Sequence, residues 1–142
     1  MSLPALVLEV EIQSTPERIW EAITSPDWTR RYFFDTAVRS DWKKGGKVVW
    51  ENRDGSASCQ GEVLESEPPW RLVTTWSSLW GPDMANETPS RVTWEIEERA
   101  AKRCLLRVTH DRLEGAPKTR AAVGGGWQGA IERLRGVLEA AA

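Results

Sequence analysis

Few residues in this chain have the chemistry for catalysis. The single histidine, His110, ends the run "CLLRVTH". Imidazole titrates near neutrality, so His110 is a candidate general acid or base, or a hydrogen-bond partner for a ligand carbonyl. Alternation along the run turns it inward. Asp111, next in the chain, falls on the opposite face, so no His–Asp dyad is expected between these neighbours. No serine can be assigned beside the histidine from the sequence. Glu65 shares a period-two face with Gly61 and Val63 and is read as inward as well. A buried carboxylate there needs a partner, and Arg71 or Arg91 is available. His110 and Glu65 are the candidate catalytic residues. The commoner fate of a lone inward histidine is a core position satisfied by its neighbours. Cys59 and Cys104 lie in strand-like runs, where free cysteines usually pack as small apolar side chains. One histidine and two scattered cysteines cannot assemble a zinc set, so no metal or other cofactor is expected.

The stretch "GGGWQG", residues 124–129, fits G-x-G-x-x-G, the spacing of dinucleotide-binding loops. Such a loop follows a parallel strand and opens a βαβ unit. Here a loop precedes the glycines and one helix follows, so the nucleotide reading fails. The glycines read instead as a helix entry that lets backbone approach the sheet and turns Trp127 inward. Bulk at Gly125 or Gly126 is then expected to displace Trp127.

The aromatic residues are lopsided: nine tryptophans against two phenylalanines and one tyrosine. Bulky rings are hard to pack without gaps, which suggests an internal cavity with few polar groups. The candidate ligand-binding residues are Trp20, Trp28, Tyr32, Phe33, Trp50, Trp76, Trp94, His110, Trp127 and Ile131. The long segment from Ser77 to Ser90 carries Trp80 and Met84 and reads as a lid or binding lip.

Regular elements must position these side chains. "ALVLEVEIQ" alternates as a half-buried strand. "STPERIWEAI" starts a short helix with Thr15 as cap and Pro16 at its first position, and "PDWTRRYFF" starts a second. Strands follow at "GGKVVWEN", "ASCQGEVLESE", "WRLVTTW", "RVTWEIEE" and "CLLRVTH", with Asp54-Gly55 marking a hairpin. "DRLEGAPKTR" reads as a loop. From Val123 the spacing turns helical, with Trp127, Ala130, Ile131, Leu134, Val137, Leu138 and Ala141 on one stripe. One-faced strands and a one-faced long helix imply an α+β architecture, a curved antiparallel sheet wrapped around the C-terminal helix.

The order of these elements, with "PERIW", "ESEPPWRLVTTW", "SRVTW", "LLRVTH" and "GGGWQG", resembles the activator-of-Hsp90-ATPase-homologue (AHSA1-type) branch of the SRPBCC, START or Bet v 1-like superfamily. The resemblance spans nearly the whole chain. It implies the helix-grip fold: seven antiparallel strands around a long C-terminal helix, two short helices after the first strand, and an apolar cavity between sheet and helix. It implies binding of a lipid, sterol or polyketide-like molecule. A cyclase or hydrolase acting on such a ligand, or a co-chaperone or stress-response interaction protein, are the alternatives. The co-chaperones that name the branch carry an additional N-terminal domain, which has no counterpart in this sequence, so chaperone stimulation is the lesser expectation.

The bulk properties agree. At 142 residues the chain is read as one domain, 1–142. Its net charge of −2 gives no basic surplus for nucleic acid, and the Arg30-Arg31 pair reads as part of a solvated helix. No apolar run reaches membrane-span length and no leader opens the chain. A cytoplasmic monomer or weak homodimer, binding a hydrophobic small molecule without covalent chemistry, is the expectation.

Overall fold

The computed structural model describes residues 4–141. The ends of the expected domain, residues 1–3 and 142, lie outside the described residues. The elements run β1 (Leu6–Ile12), α1 (Pro16–Thr24), α2 (Pro26–Tyr32), β2 (Ala37–Arg39), β3 (Lys47–Glu51), β4 (Ala57–Glu67), β5 (Arg71–Ser78), α3 (Pro82–Ala85), β6 (Ser90–Ala100), β7 (Arg103–Asp111), α4 (Pro117–Val123) and α5 (Gly126–Ala140). All strands join one antiparallel sheet in the order β1-β7-β6-β5-β4-β3-β2. This is the helix-grip arrangement, α+β, with α5 as its long helix.

Alternation explains the strands. Val48, Trp50, Leu72, Trp76, Val92, Trp94, Leu106, Val108 and His110 all point into the core and are at most 5% exposed. The outer face of the sheet is charged. Arg107 pairs with Glu9, and Arg71 with Glu95 and Glu65, so a row of alternating charge crosses five strands. Such exposed pairs contribute about 0–1 kcal/mol each and serve mainly to keep this face in water. Gly61 is required where β4 meets β5, because an added Cβ would come within 1.9 Å of the Thr75 carbonyl oxygen.

Thr15 caps α1, its hydroxyl accepting from the Arg18 amide at 3.3 Å. The Tyr32 hydroxyl donates to the Ala22 carbonyl at 2.9 Å and locks α2 against α1. Helix α5 packs back against β1, α1 and α2. Its first turn carries Trp127 beside His110, and Glu139 near its end accepts from the Gln13 amide at 2.9 Å.

Three elements depart from the sequence reading. Strand β2 has three residues, too few to show alternation. Helix α3 forms inside the long segment after β5. Helix α4 occupies part of what reads as a loop. It has no capping side chain of its own. Glu87 supplies one from about thirty residues upstream, accepting from the amides of Lys118 at 2.8 Å and Thr119 at 3.0 Å. Nothing local in the sequence announces such a cap.

Candidate functional site

Between the sheet and the first turn of α5 lies a cavity of about 330 Å³, open at one mouth. Phe33, Trp76 and Trp127 form its inner wall. Their ring centroids stand 5.6–5.9 Å apart at tilted and edge-on angles. Trp50 packs on Trp76 at 4.8 Å, and Trp94 on Trp127 at 5.6 Å, so a second layer of rings backs the wall. Rigid rings in these orientations cannot close on one another, and the cavity is the space they leave. Phe34 and Trp80, 53% and 45% exposed, stand at the mouth with Ala122, Val123 and Gly126.

The one polar side chain in the lining is Ser58. It reaches the cavity through a β-bulge. Trp50 pairs with Cys59 and Glu51 with Ala57, leaving Ser58 as the extra residue in β4. A bulge re-aims a side chain that strict alternation would place elsewhere. The Ser58 hydroxyl accepts from the Trp80 indole N–H at 2.8 Å.

His110 is fully buried and fully bonded. The Trp127 indole can only donate, so His110 Nδ1 accepts from it at 3.0 Å. The neutral ring then carries its proton on Nε2, 2.7 Å from Ser90 Oγ, and donates to it. Ser90 in turn donates to the Trp76 carbonyl at 3.3 Å. Burial pushes the imidazole down to about 4, so it stays neutral at physiological pH. Ser90 and His110 thus sit as close as a catalytic pair, but the tautomer is wrong: a general base needs Nε2 free of its proton. Neither residue lines the cavity. Asp111 lies on the outer face, bound to Arg91 at 2.8 Å.

Glu65 corrects the sequence reading. A bulge between Val63 and Glu65 shifts the register of β4, and the carboxylate ends exposed, 3.5 Å from Arg71. Among the other expected ligand residues, Trp28 is half-buried at the edge of the core, outside the lining. It donates to Glu21 at 3.2 Å and is flanked by the guanidinium groups of Arg18 and Arg31. Trp20 is half-buried at the edge of the core. Tyr32, Trp50, Trp94 and Ile131 are buried behind the wall rather than in the lining. Arg30 donates to the Asp35 carbonyl at 3.0 Å. The lining residues missed from the sequence are Phe34, Ser58, Ala122 and Val123. Phe34 carried a signal, an apolar ring adjacent to Phe33 at the end of a helix.

The segment after β5 covers one side of the mouth. Trp80 reaches the rim, whereas Met84 is half-buried and outside the lining. Two bonds tie this segment to α4 besides the Glu87 cap. Lys118 pairs with Asp83 at 2.8 Å, and the Thr88 amide donates to the Gly115 carbonyl at 3.1 Å. The glycines before α5 have right-handed helical geometry at Gly124 and Gly125 and form a short break between two helices. A single added carbon at either Gly125 or Gly126 needs no movement of Trp127. A Cβ on Gly125 meets open space, and one on Gly126 meets the Phe34 ring at 3.4 Å, an ordinary contact. Gly126 leaves the mouth open instead.

Cys59 and Cys104 are free, buried thiols, pushed up to about 12 and about 11 chiefly by burial. Among the described residues no cluster of three or more metal-ligating side chains occurs, and no helix is long and apolar enough to cross a membrane. Thr74 Oγ1 is the one buried side-chain polar atom without a hydrogen-bond partner among the described residues.

A family model described as "Activator of Hsp90 ATPase homolog 1-like protein" matches residues 13–139. Similar folds occur in CalU16 from Micromonospora echinospora, at 22% identity and a TM-score of 0.71 over 92% of this chain and 73% of that one. An HSP90 activator from Plasmodium falciparum is 22% identical, with a TM-score of 0.73 over 95% of this chain and 96% of that one. The Aha1 dimer from Colwellia psychrerythraea is 14% identical, with a TM-score of 0.75 over 96% and 97% of the two chains. A search of curated proteins found no match.

Proposed function

This chain belongs to the Activator of Hsp90 ATPase homolog 1-like family, and from that premise we propose that it binds a hydrophobic small molecule in the aromatic cavity without chemical conversion. The observation that carries this reading is the cavity itself. Its volume of about 330 Å³ falls within the range of about 300–1,000 Å³ typical of ligand pockets. Its wall is apolar, and enclosing a ligand removes apolar surface from water at roughly 25 cal/mol per Å². Binding without conversion is favoured because, among the described residues, no titratable side chain reaches the lining. His110 holds its proton toward Ser90, and Glu65 faces solvent. A cyclase or hydrolase would need at least one such group in contact with its substrate.

The test is titration with a panel of lipids, sterols and aromatic compounds, followed by tryptophan fluorescence and melting temperature. Trp76, Trp80 and Trp127 line the cavity, so occupancy changes their emission directly. At a hundredfold excess over Kd, binding stabilises the native state by about 2.7 kcal/mol. Gly126→Leu, which fills the mouth from a position with room for a side chain, abolishes both responses while the protein stays folded. If no compound in the panel moves emission or melting temperature, the reading is lost.

A further inference from the structure

We propose that the cavity selects a neutral, flat aromatic molecule of two or three fused rings with one hydrogen-bond acceptor at its edge. That acceptor takes the hydroxyl proton of Ser58. This rests on the ligand-binding reading and narrows it, separating the aromatic class from fatty acids and sterols.

Charge is excluded by the lining. Among the described residues, none of the side chains lining the cavity is ionisable. A carboxylate or phosphate brought inside would lose its water and find no cation to replace it. Arg133 stays outside the lining: it stacks on the Phe34 ring at 5.3 Å and its Nε donates to the Tyr32 carbonyl at 3.1 Å.

The polar group is singled out by what the indoles do. Each tryptophan of the lining carries an N–H, and each is bonded within the protein. Trp76 donates to Ser78 at 3.0 Å, Trp127 to His110 at 3.0 Å and Trp80 to Ser58 at 2.8 Å. The wall therefore offers a ligand only ring carbon. Ser58 is the exception. Its oxygen accepts from Trp80 and from the Cys59 thiol, and its own proton has no protein acceptor among the described residues. A hydroxyl fixed by an accepted bond and free to donate calls for an acceptor such as a ketone or ether oxygen.

Size and shape complete the argument. At about 330 Å³ the cavity lies at the small end of ligand pockets. Rings of Phe33, Trp76 and Trp127 present faces and edges to the space, which favours stacking and edge contacts with another ring.

Five probes test this on the intact protein by tryptophan fluorescence: 2-acetylnaphthalene, 2-ethylnaphthalene, 2-naphthoate, oleate and cholesterol. Expected is tightest binding of 2-acetylnaphthalene. The ethyl analogue, lacking the acceptor, binds about three- to tenfold more weakly. The naphthoate anion binds at least about a hundredfold more weakly. In Ser58→Ala the gap between acetyl and ethyl compounds closes, because the acetyl compound loses affinity and the ethyl compound does not. The inference is overturned if naphthoate binds as well as the ketone, if oleate or cholesterol outbinds it, or if the gap persists in folded Ser58→Ala. The wild-type series decides even should that variant fold poorly. Binding by none of the five removes the ligand-binding reading itself, and this inference with it.

Discussion

One helix packs on one sheet along its whole length, yet its two halves meet different cores. Toward the C-terminus of α5, Leu134 and Leu138 join Ile12, Ile19 and Leu106, all at 0% exposure. Branched aliphatic side chains interdigitate to high density. Toward the N-terminus, Trp127 meets Trp76, Trp94, Phe33 and His110, and a cavity of about 330 Å³ remains. Trp76 and Trp127 there are also anchored by hydrogen bonds from their indole N–H groups, to Ser78 and His110. The difference separates two tasks. The aliphatic half stabilises the grip, and the aromatic half keeps a rigid hollow that would collapse if smaller, freer side chains lined it.

The sharpest way to break this contrast is in the aliphatic half. Leu134→Ala is expected to cost about 4 kcal/mol, since the tightly packed surroundings cannot relax into the hole. Phe33→Leu, bordering space that already exists, should cost about 1 kcal/mol. Urea denaturation of both variants checks this, and equal losses would refute the division. Next comes pH. His110 titrates near 6.5 when unfolded and at about 4 in the folded protein. Between these values the unfolded chain holds the extra proton, so stability is complete above about 6.5 and falls as pH drops toward 4. The loss is about 3 kcal/mol in all. His110→Asn should flatten this slope, measured by denaturation midpoints from pH 7 to 5. A smaller effect is expected at Thr74, whose hydroxyl is orphaned beneath the aromatic layer. Thr74→Val should gain about 1 kcal/mol in a thermal melt. Smallest is Gly136→Ala on the exposed side of α5, where an added Cβ meets nothing. It should gain about 0.5–1 kcal/mol and leave ligand titrations unchanged.

Much of this architecture was legible in the sequence because it follows from period. Trp50, Trp76 and Trp94 face inward as alternation requires, and the α5 stripe from Trp127 to Leu138 packs as helical spacing requires. What escaped depends on departures from period or on distant partners. Two bulges in β4 turn Glu65 out and bring Ser58 to the cavity. The partners that hold His110 come from another strand and from α5. Assigning ligand contacts to every nearby aromatic overreached for a related reason. Helical position places Trp28 on α2, but only the packing of α1 shows that it sits half-buried between two arginines, outside the lining.

Glu87 has a consequence for the timing of exchange. The same carboxylate that begins α4 belongs to the segment that carries Trp80. Displacing that segment would uncap the helix, so the rim at Trp80 and the first turn of α4 are coupled. A molecule seated against Trp76 would therefore slow deuterium uptake at the amides of Arg120 and Ala121, neither of which borders the cavity.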